Sequence, residues 1–224
     1  MTTSHPAAGR PRRTLRWLER TLWLVGLLCL GWVAWAWGGA AWYQHRAESE
    51  LVALERADTS AAESPIPADA RPAAPIVPAQ PGAPLGRLVV PGVGLRAVVA
   101  WGVDEDTLQR AVGWLPGTAP PGSGVGNVAL AGHRDTFFRD LQHVEPGDRI
   151  DLETPGHDVS YRVEWIRVVE PERMDVVAPT EEGALTLVTC YPFHWIGPAP
   201  QRFVVRARVV SPGFAGLSVD DRGP

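Results

Sequence analysis

The sequence predicts a mainly β domain closed into a barrel and carried behind one N-terminal apolar helix. Three observations predict it. Short stretches rich in Val, Leu and aromatic residues recur between Gly/Pro turns from about residue 85 to residue 210. Seven or eight such strands in about 125 residues suit a closed or nearly closed barrel. A span without charge covers residues 21–44, and a proline-rich stretch parts it from the strands. The 224 residues then divide into a basic tail (1–20), an apolar span (21–44), an exposed polar stretch with a Pro/Ala-rich linker (45–84), the β domain (85–212) and a C-terminal tail (213–224).

The basic tail holds Arg10, Arg12, Arg13, Arg16 and Arg20, opposed only by Glu19. The span "TLWLVGLLCLGWVAWAWGGAAWYQ" is long enough to cross a bilayer, which takes about 20 residues. It also exceeds the apolar core of a secretory signal, about 7–15 residues. Glu48, Glu50 and Glu55 follow it, so the positive-inside rule predicts a cytoplasmic N-terminus, with everything after the span outside the cell membrane. Trp17, Trp42 and Tyr43 stand near its two ends, where aromatic belts form. The small residues of "AWAWGGA" leave a cleaved signal as an alternative, and a buried soluble helix is a third reading that the charge asymmetry disfavours. Cys29, in the middle of the span, reads as a packing or lipid-facing residue.

Residues 44–62 are expected to extend the helix as an exposed polar stretch. Pro65, Pro67, Pro72, Pro75, Pro78, Pro81 and Pro84 then exclude helix and central strand and favour extended polyproline II. At about 3.1 Å per residue such a linker holds a domain about 60 Å off the membrane. The strands follow as "GRLVVP", "LRAVVAWG", "NVALAG", "DRIDLET", "VSYRVEWIRVV", "ALTLVTC" and "RFVVRARVV". Two short helices are expected between them, "DEDTLQRAV" with acids in its first turn and "FFRDLQHV".

Composition excludes several functions. A net charge of −4 leaves no general nucleic-acid footprint, so no nucleic-acid partner is expected. All 21 basic residues are Arg, and a chain without Lys has no Schiff-base lysine, P-loop lysine or kinase lysine. Asn127 is the only Asn, a poorly placed candidate for Cys-His-Asn chemistry.

Cys190 is the one cysteine of the β domain. Outside the cell it has no partner for a disulfide within the chain, so it is either buried and inert or needed as a free thiol. Side chains alternate along a strand. In "ALTLVTC", Leu185 and Leu187 read as the core face and Ala184, Thr186, Val188 and Cys190 as the other. In "NVALAGH", Val128 and Leu130 are core, and Ala129, Ala131 and His133 face away. In "RFVVRARVV", Phe203, Val205, Ala207 and Val209 are core, and Arg202, Val204, Arg206 and Arg208 face away. A thiol, an imidazole and a guanidinium thus sit at strand ends on the non-core face, which points to one cleft. An imidazole shuttles protons for a thiol nucleophile and its leaving group, and a fixed arginine stabilises a tetrahedral oxyanion. Cys190, His133 and Arg202 together make a candidate thiol acyl-transfer site.

The blocks "ALAGHRDTFF", "LTLVTCYPF" and "APQRFVVRA" closely resemble the three signature blocks of sortases, and of the class D type in particular. The resemblance runs from about Gly86 to Val210 and keeps the order His, Cys, Arg. It implies an eight-stranded sortase-type β-barrel and a membrane-anchored cysteine transpeptidase. Such enzymes cut a Leu-Pro-x-Thr-Gly (or Ala) sorting signal after Thr, form a thioacyl enzyme and pass the acyl group to an amine. The implied partners are sorting-signal proteins and an amine acceptor, either a peptidoglycan precursor or a pilin lysine. The implied catalytic residues are Cys190 as nucleophile, His133 as general acid/base and Arg202 as stabiliser of oxyanion and substrate. Ala131 and Thr189 occupy positions that line the substrate groove in relatives. The segment "EPERMDVVAPTEEG" matches the loop that grips the Leu-Pro end, with Val176, Val177 and Pro179 as its apolar candidates.

No cofactor or metal is expected. Some sortases bind calcium through loop carboxylates, but Glu172, Asp175, Glu181 and Glu182 read as a solvated acidic loop. A zinc site from His133, His143 and Cys190 lacks close ligand spacing. His143, His157 and His194 read as loop histidines. "HRD" lacks the downstream Asn and the Lys of a kinase, and "GSGVG" precedes a strand and reads as a turn. An L,D-transpeptidase-like thiol acyl transferase and a membrane-tethered binding module with an inert Cys190 remain as alternatives.

Overall fold

The structure is a computed structural model that describes residues 12–62 and 80–213. The first residues of the basic tail, the linker from Glu63 to Ala79 and the tail after Gly213 lie outside the described residues. The chain forms two compact units, the first ending at Ala41 and the second beginning at Trp42. Helix α1 runs Arg12–Ala62. Among the described residues it is the one helix long and apolar enough to cross a membrane.

In the second unit eight strands close a barrel: β1 (Pro84–Val90), β2 (Leu95–Trp101), β3 (Val112–Trp114), β4 (Asn127–Ala131), β5 (Arg149–Thr154), β6 (His157–Val169), β7 (Ala184–Tyr191) and β8 (Gln201–Gly213). Their order around it is β1-β2-β3-β4-β7-β8-β6-β5, and β5 pairs back onto β1. Two neighbouring pairs are parallel, β2 with β3 and β4 with β7. The period-two pattern of each strand sends one face inward. Leu88 and Val90, Val128 and Leu130, Leu185 and Leu187, and Val205 and Ala207 are buried in one core with Ile150, Leu152 and Tyr161.

Two expected helices are shorter than their sequence pattern. Helix α2 is Glu105–Leu108 only, capped by Asp104, whose side chain accepts from the Thr107 amide at 3.0 Å. Val112, expected at the end of that helix, instead begins β3, which is too short to show a period. The second helix is a 3-10 turn, Arg139–His143.

The exposed polar stretch also differs from expectation. Tyr43, Ala47 and Leu51 recur every four residues on one face of α1. Ala47 and Leu51 are buried against Val98, which β2 turns away from the barrel core. The Tyr43 hydroxyl donates to Gly82 O, and Glu48 lies 3.7 Å from the buried Arg87. Gln44 Oε1 accepts from the Val98 amide at 3.0 Å. Short β3 reaches only Val99–Trp101 of β2, so Gln44 covers a donor that β3 leaves open. The polar composition of this stretch hid an apolar stripe one residue wide.

Candidate active site

β7 sits between parallel β4 and antiparallel β8, and its outward residues form rows with theirs. Cys190 pairs directly with Arg202, Val188 with Val204, and Thr186 with Arg206. On the other side Val188 pairs with Ala131 and Thr186 with Ala129. The parallel register continues past the end of β4, where the Gly132 amide donates to Val188 O at 3.2 Å. His133 is two residues beyond Ala131, as Cys190 is two beyond Val188. The structure therefore pairs Cys190 with Arg202 across β7 and β8 and sets His133 just past the end of the neighbouring β4.

The turn that carries His133 is fixed from several sides. His133 O accepts from the Phe138 amide at 3.0 Å, and the buried Phe138 ring packs beneath Gly132. A Cβ on Gly132 would stand 2.9 Å from that ring, so the residue before His133 has to be glycine. Thr189 is only 3% exposed, and its hydroxyl donates to Gly132 O at 2.7 Å. Thr189 thus points away from the face that carries Cys190. Its expected place in the groove lining is corrected: it ties the His133 turn to the cysteine strand, because neighbouring residues on a strand face opposite ways.

Cys190 is a free, half-buried thiol. The His133 imidazole is partly open and its Nε2 lies 3.7 Å from Glu105 Oε1 of α2. Arg202 Nη1 donates to Gln201 O at 3.0 Å and Ala199 O at 3.3 Å. Among the described residues no carboxylate forms an ion pair with Arg202, so its charge is uncompensated beside Cys190. Arg134, next to His133, donates to Trp195 O at 2.7 Å and Gly197 O at 3.1 Å, which ties the β7–β8 loop to the His133 turn.

Ala131 and Val188 are half-open and continue the same sheet face away from Cys190. Ala129 and Thr186, one row further, are fully buried. The 3-10 turn Met174–Val177, in the β6–β7 loop, is bonded down at this row. Val176 and Val177 are half-buried and Pro179 is exposed. Successive rows are two residues apart, so the catalytic row and the covered row are separated by about 13 Å.

Glu105 is a neighbour of His133 that the sequence does not reveal. Glu105 reads in sequence as a first-turn acid, and no spacing signal joins it to His133. Asn127 is buried at the start of β4, at the far end from His133, and has no place in a Cys-His-Asn triad. Among the described residues no three His, Cys, Asp or Glu side chains stand close enough to hold a metal ion. Asp175 is instead bonded to Arg173, and Glu182 to Arg208.

The Sortase domain family matches residues 88–210, more than half of the chain, and the chain belongs to the sortase family. It is 30% identical over 127 residues to Sortase D of Bacillus subtilis, covering 56% of this chain and 64% of that protein, just under two thirds of its length. The fold is similar to that of a Clostridium perfringens Sortase D5 transpeptidase, with a TM-score of 0.60 and 22% identity over 75% of this chain and 99% of the other. It is also similar to Sortase E1 from Streptomyces coelicolor with a tripeptide in the active site, with a TM-score of 0.53 and 29% identity over 59% of this chain and 92% of the other.

Proposed function

We propose that the chain is a membrane-anchored cysteine transpeptidase that cleaves a Leu-Pro-x-Thr-Gly/Ala-like signal after Thr and joins the new carboxyl end to an amine. The observation that supports this reading is the direct pairing of Cys190 with Arg202 across β7 and β8, with His133 just past the end of β4. Cys190 gives its proton to His133 as Sγ attacks the Thr carbonyl carbon, and the developing oxyanion draws on Arg202. The C–N bond to Gly breaks as His133 gives its proton to the departing amine. An incoming amine then forms a C–N bond with the thioacyl carbon, the C–S bond breaks, and His133 takes up the proton. The floor of Ala131 and Val188 and the turn at Val176 and Val177 offer about 13 Å, the length of about four extended residues. A Leu-Pro-x-Thr stretch has that length. The substrates are proteins that carry such a signal, and the acceptor is a peptidoglycan precursor or a pilin lysine. The arginines before residue 21 and the acids after residue 44 support a cytoplasmic N-terminus and a barrel outside the membrane.

The test uses the full chain in detergent micelles with Leu-Pro-x-Thr-Gly and -Ala peptides, with and without a small amine. Intact mass should show an acyl adduct on the wild type, none on Cys190→Ala, and an amine-dependent product. A folded protein whose Cys190 reacts with a methanethiosulfonate but gains no adduct from either peptide would sink the proposed signal.

A further inference from the structure

The buried polar cluster under the β6–β7 loop has no place in the chemistry above. Asn127 is 1% exposed, Thr186 is 0% exposed and Arg206 is 8% exposed, one on each of three adjacent strands. The Thr186 hydroxyl donates to Asn127 Oδ1 at 2.7 Å. Asn127 Nδ2 donates to Ala178 O at 3.0 Å and lies 3.4 Å from Val176 O. Arg206 Nη2 donates to Val176 O at 2.6 Å, and its guanidinium lies 5.4 Å from the centre of the Trp165 ring. Burial pushes the Arg206 pKa down, so this charge is held at a desolvation cost and is partnered by one backbone carbonyl.

The contacts of Asn127 and Arg206 end on the carbonyls of Val176 and Ala178, and Thr186 holds the Asn127 amide in place, so the cluster fixes a backbone and does not read its side chains. That backbone covers the sheet face two rows from Cys190. We propose that Asn127, Thr186 and Arg206 are positioning residues that latch the Met174–Ala178 turn to the sheet, and so set where the N-terminal, apolar end of the peptide signal stops. The inference rests on the peptide-transfer reading given above. The chain spends its one Asn and a buried Arg on this task. A buried network of this kind fixes one geometry, and each member is costly to leave half-satisfied. With the latch closed, the distance from the turn to Cys190 is constant, and the signal enters in one register. With it open, the turn moves off the sheet and the apolar end loses its pocket while the catalytic row stays intact.

The experiment compares the wild type, Thr186→Val and Thr186→Ser, as full chains in detergent micelles. Thr186→Val keeps the shape and removes the hydroxyl, and Thr186→Ser restores it. Hydrogen exchange over residues 170–182 reads the latch without any substrate. Steady-state kinetics on Leu-Pro-x-Thr-Gly peptide reads its consequence, and the rate of Cys190 alkylation reports an intact catalytic row. In Thr186→Val, exchange in 170–182 should rise about tenfold and KM about tenfold, with kcat and alkylation within about twofold and Thr186→Ser near wild type. Unchanged exchange in 170–182 would overturn the latch. Faster exchange with unchanged KM, or equal losses in kcat and kcat/KM, would overturn its link to the peptide. A wild type that turns over no peptide sinks the substrate reading instead, and the exchange arm still decides whether the latch exists.

Discussion

At the scale of single residues, the site depends on groups that never touch a substrate. Thr189 is one of them. Its hydroxyl ties Gly132 to the cysteine strand, and Gly132 precedes the proposed general acid/base. Thr189→Val keeps the volume and leaves a buried carbonyl short of a partner, which costs about 1 kcal/mol of stability. Equilibrium denaturation should read that loss, and kcat for peptide cleavage should fall about tenfold because the His133 turn loses its tie. A variant with wild-type kcat would limit Thr189 to a stability role. Arg202 behaves differently. Its guanidinium hangs from backbone carbonyls and pairs with no described carboxylate, so its removal disturbs little packing. Arg202→Gln should lower kcat about a hundredfold, the size expected for one oxyanion donor, with KM within about twofold. A rise in KM with kcat held would instead assign Arg202 to ground-state binding.

At the scale of elements, the cysteine strand was readable from alternation alone. Leu185 and Leu187 mark the core face and leave Cys190 on the other, and the same test places Arg202 beside it. Two neighbours of the site were not readable. Glu105 reaches His133 because α2 packs beside β3, the neighbour of β4, and a four-residue helix leaves no periodic trace. Strand β3 is three residues long, so Val112 read as helix. The docked half of α1 lay between these cases. Its stripe of Tyr43, Ala47 and Leu51 has the helical period, but no sequence pattern says that Val98 on β2 lacks cover. Ala47→Arg places a charge where the residue is 3% exposed, and it should drive this part of α1 off the barrel. The Val98 amide then loses Gln44 as acceptor, and its hydrogen exchange should speed up at least tenfold with the core strands still protected. An unchanged Val98 amide would show that the contact with α1 is not what protects it.

At the scale of the whole molecule, the barrel closes where β5 meets β1 and β6, and this seam carries like charges. Glu153 and Asp158 face each other across β5 and β6, and Asp151 lies nearby. Partial desolvation of the otherwise exposed Asp158, with Glu153 and Asp151 adding to it, pushes its carboxyl above the ordinary value, although a backbone hydrogen bond and Arg87 oppose the shift. The sign follows from linkage. A carboxyl whose pKa is raised in the folded state binds its proton more tightly there than in the unfolded chain. Its contribution is fully present below the unfolded value, about 4, and is lost as pH rises through the higher folded value. At neutral pH the ionised Asp158 therefore works against the seam. Asp158→Asn removes that charge and keeps the shape. The variant should be more stable than the wild type at pH 7, with the difference shrinking on acidification and gone below about pH 4. Urea titrations at several pH values on both proteins would read this directly. A difference that is the same at pH 4 and pH 7 would mean that the substitution acts through packing or hydrogen bonding and not through the charge at the seam.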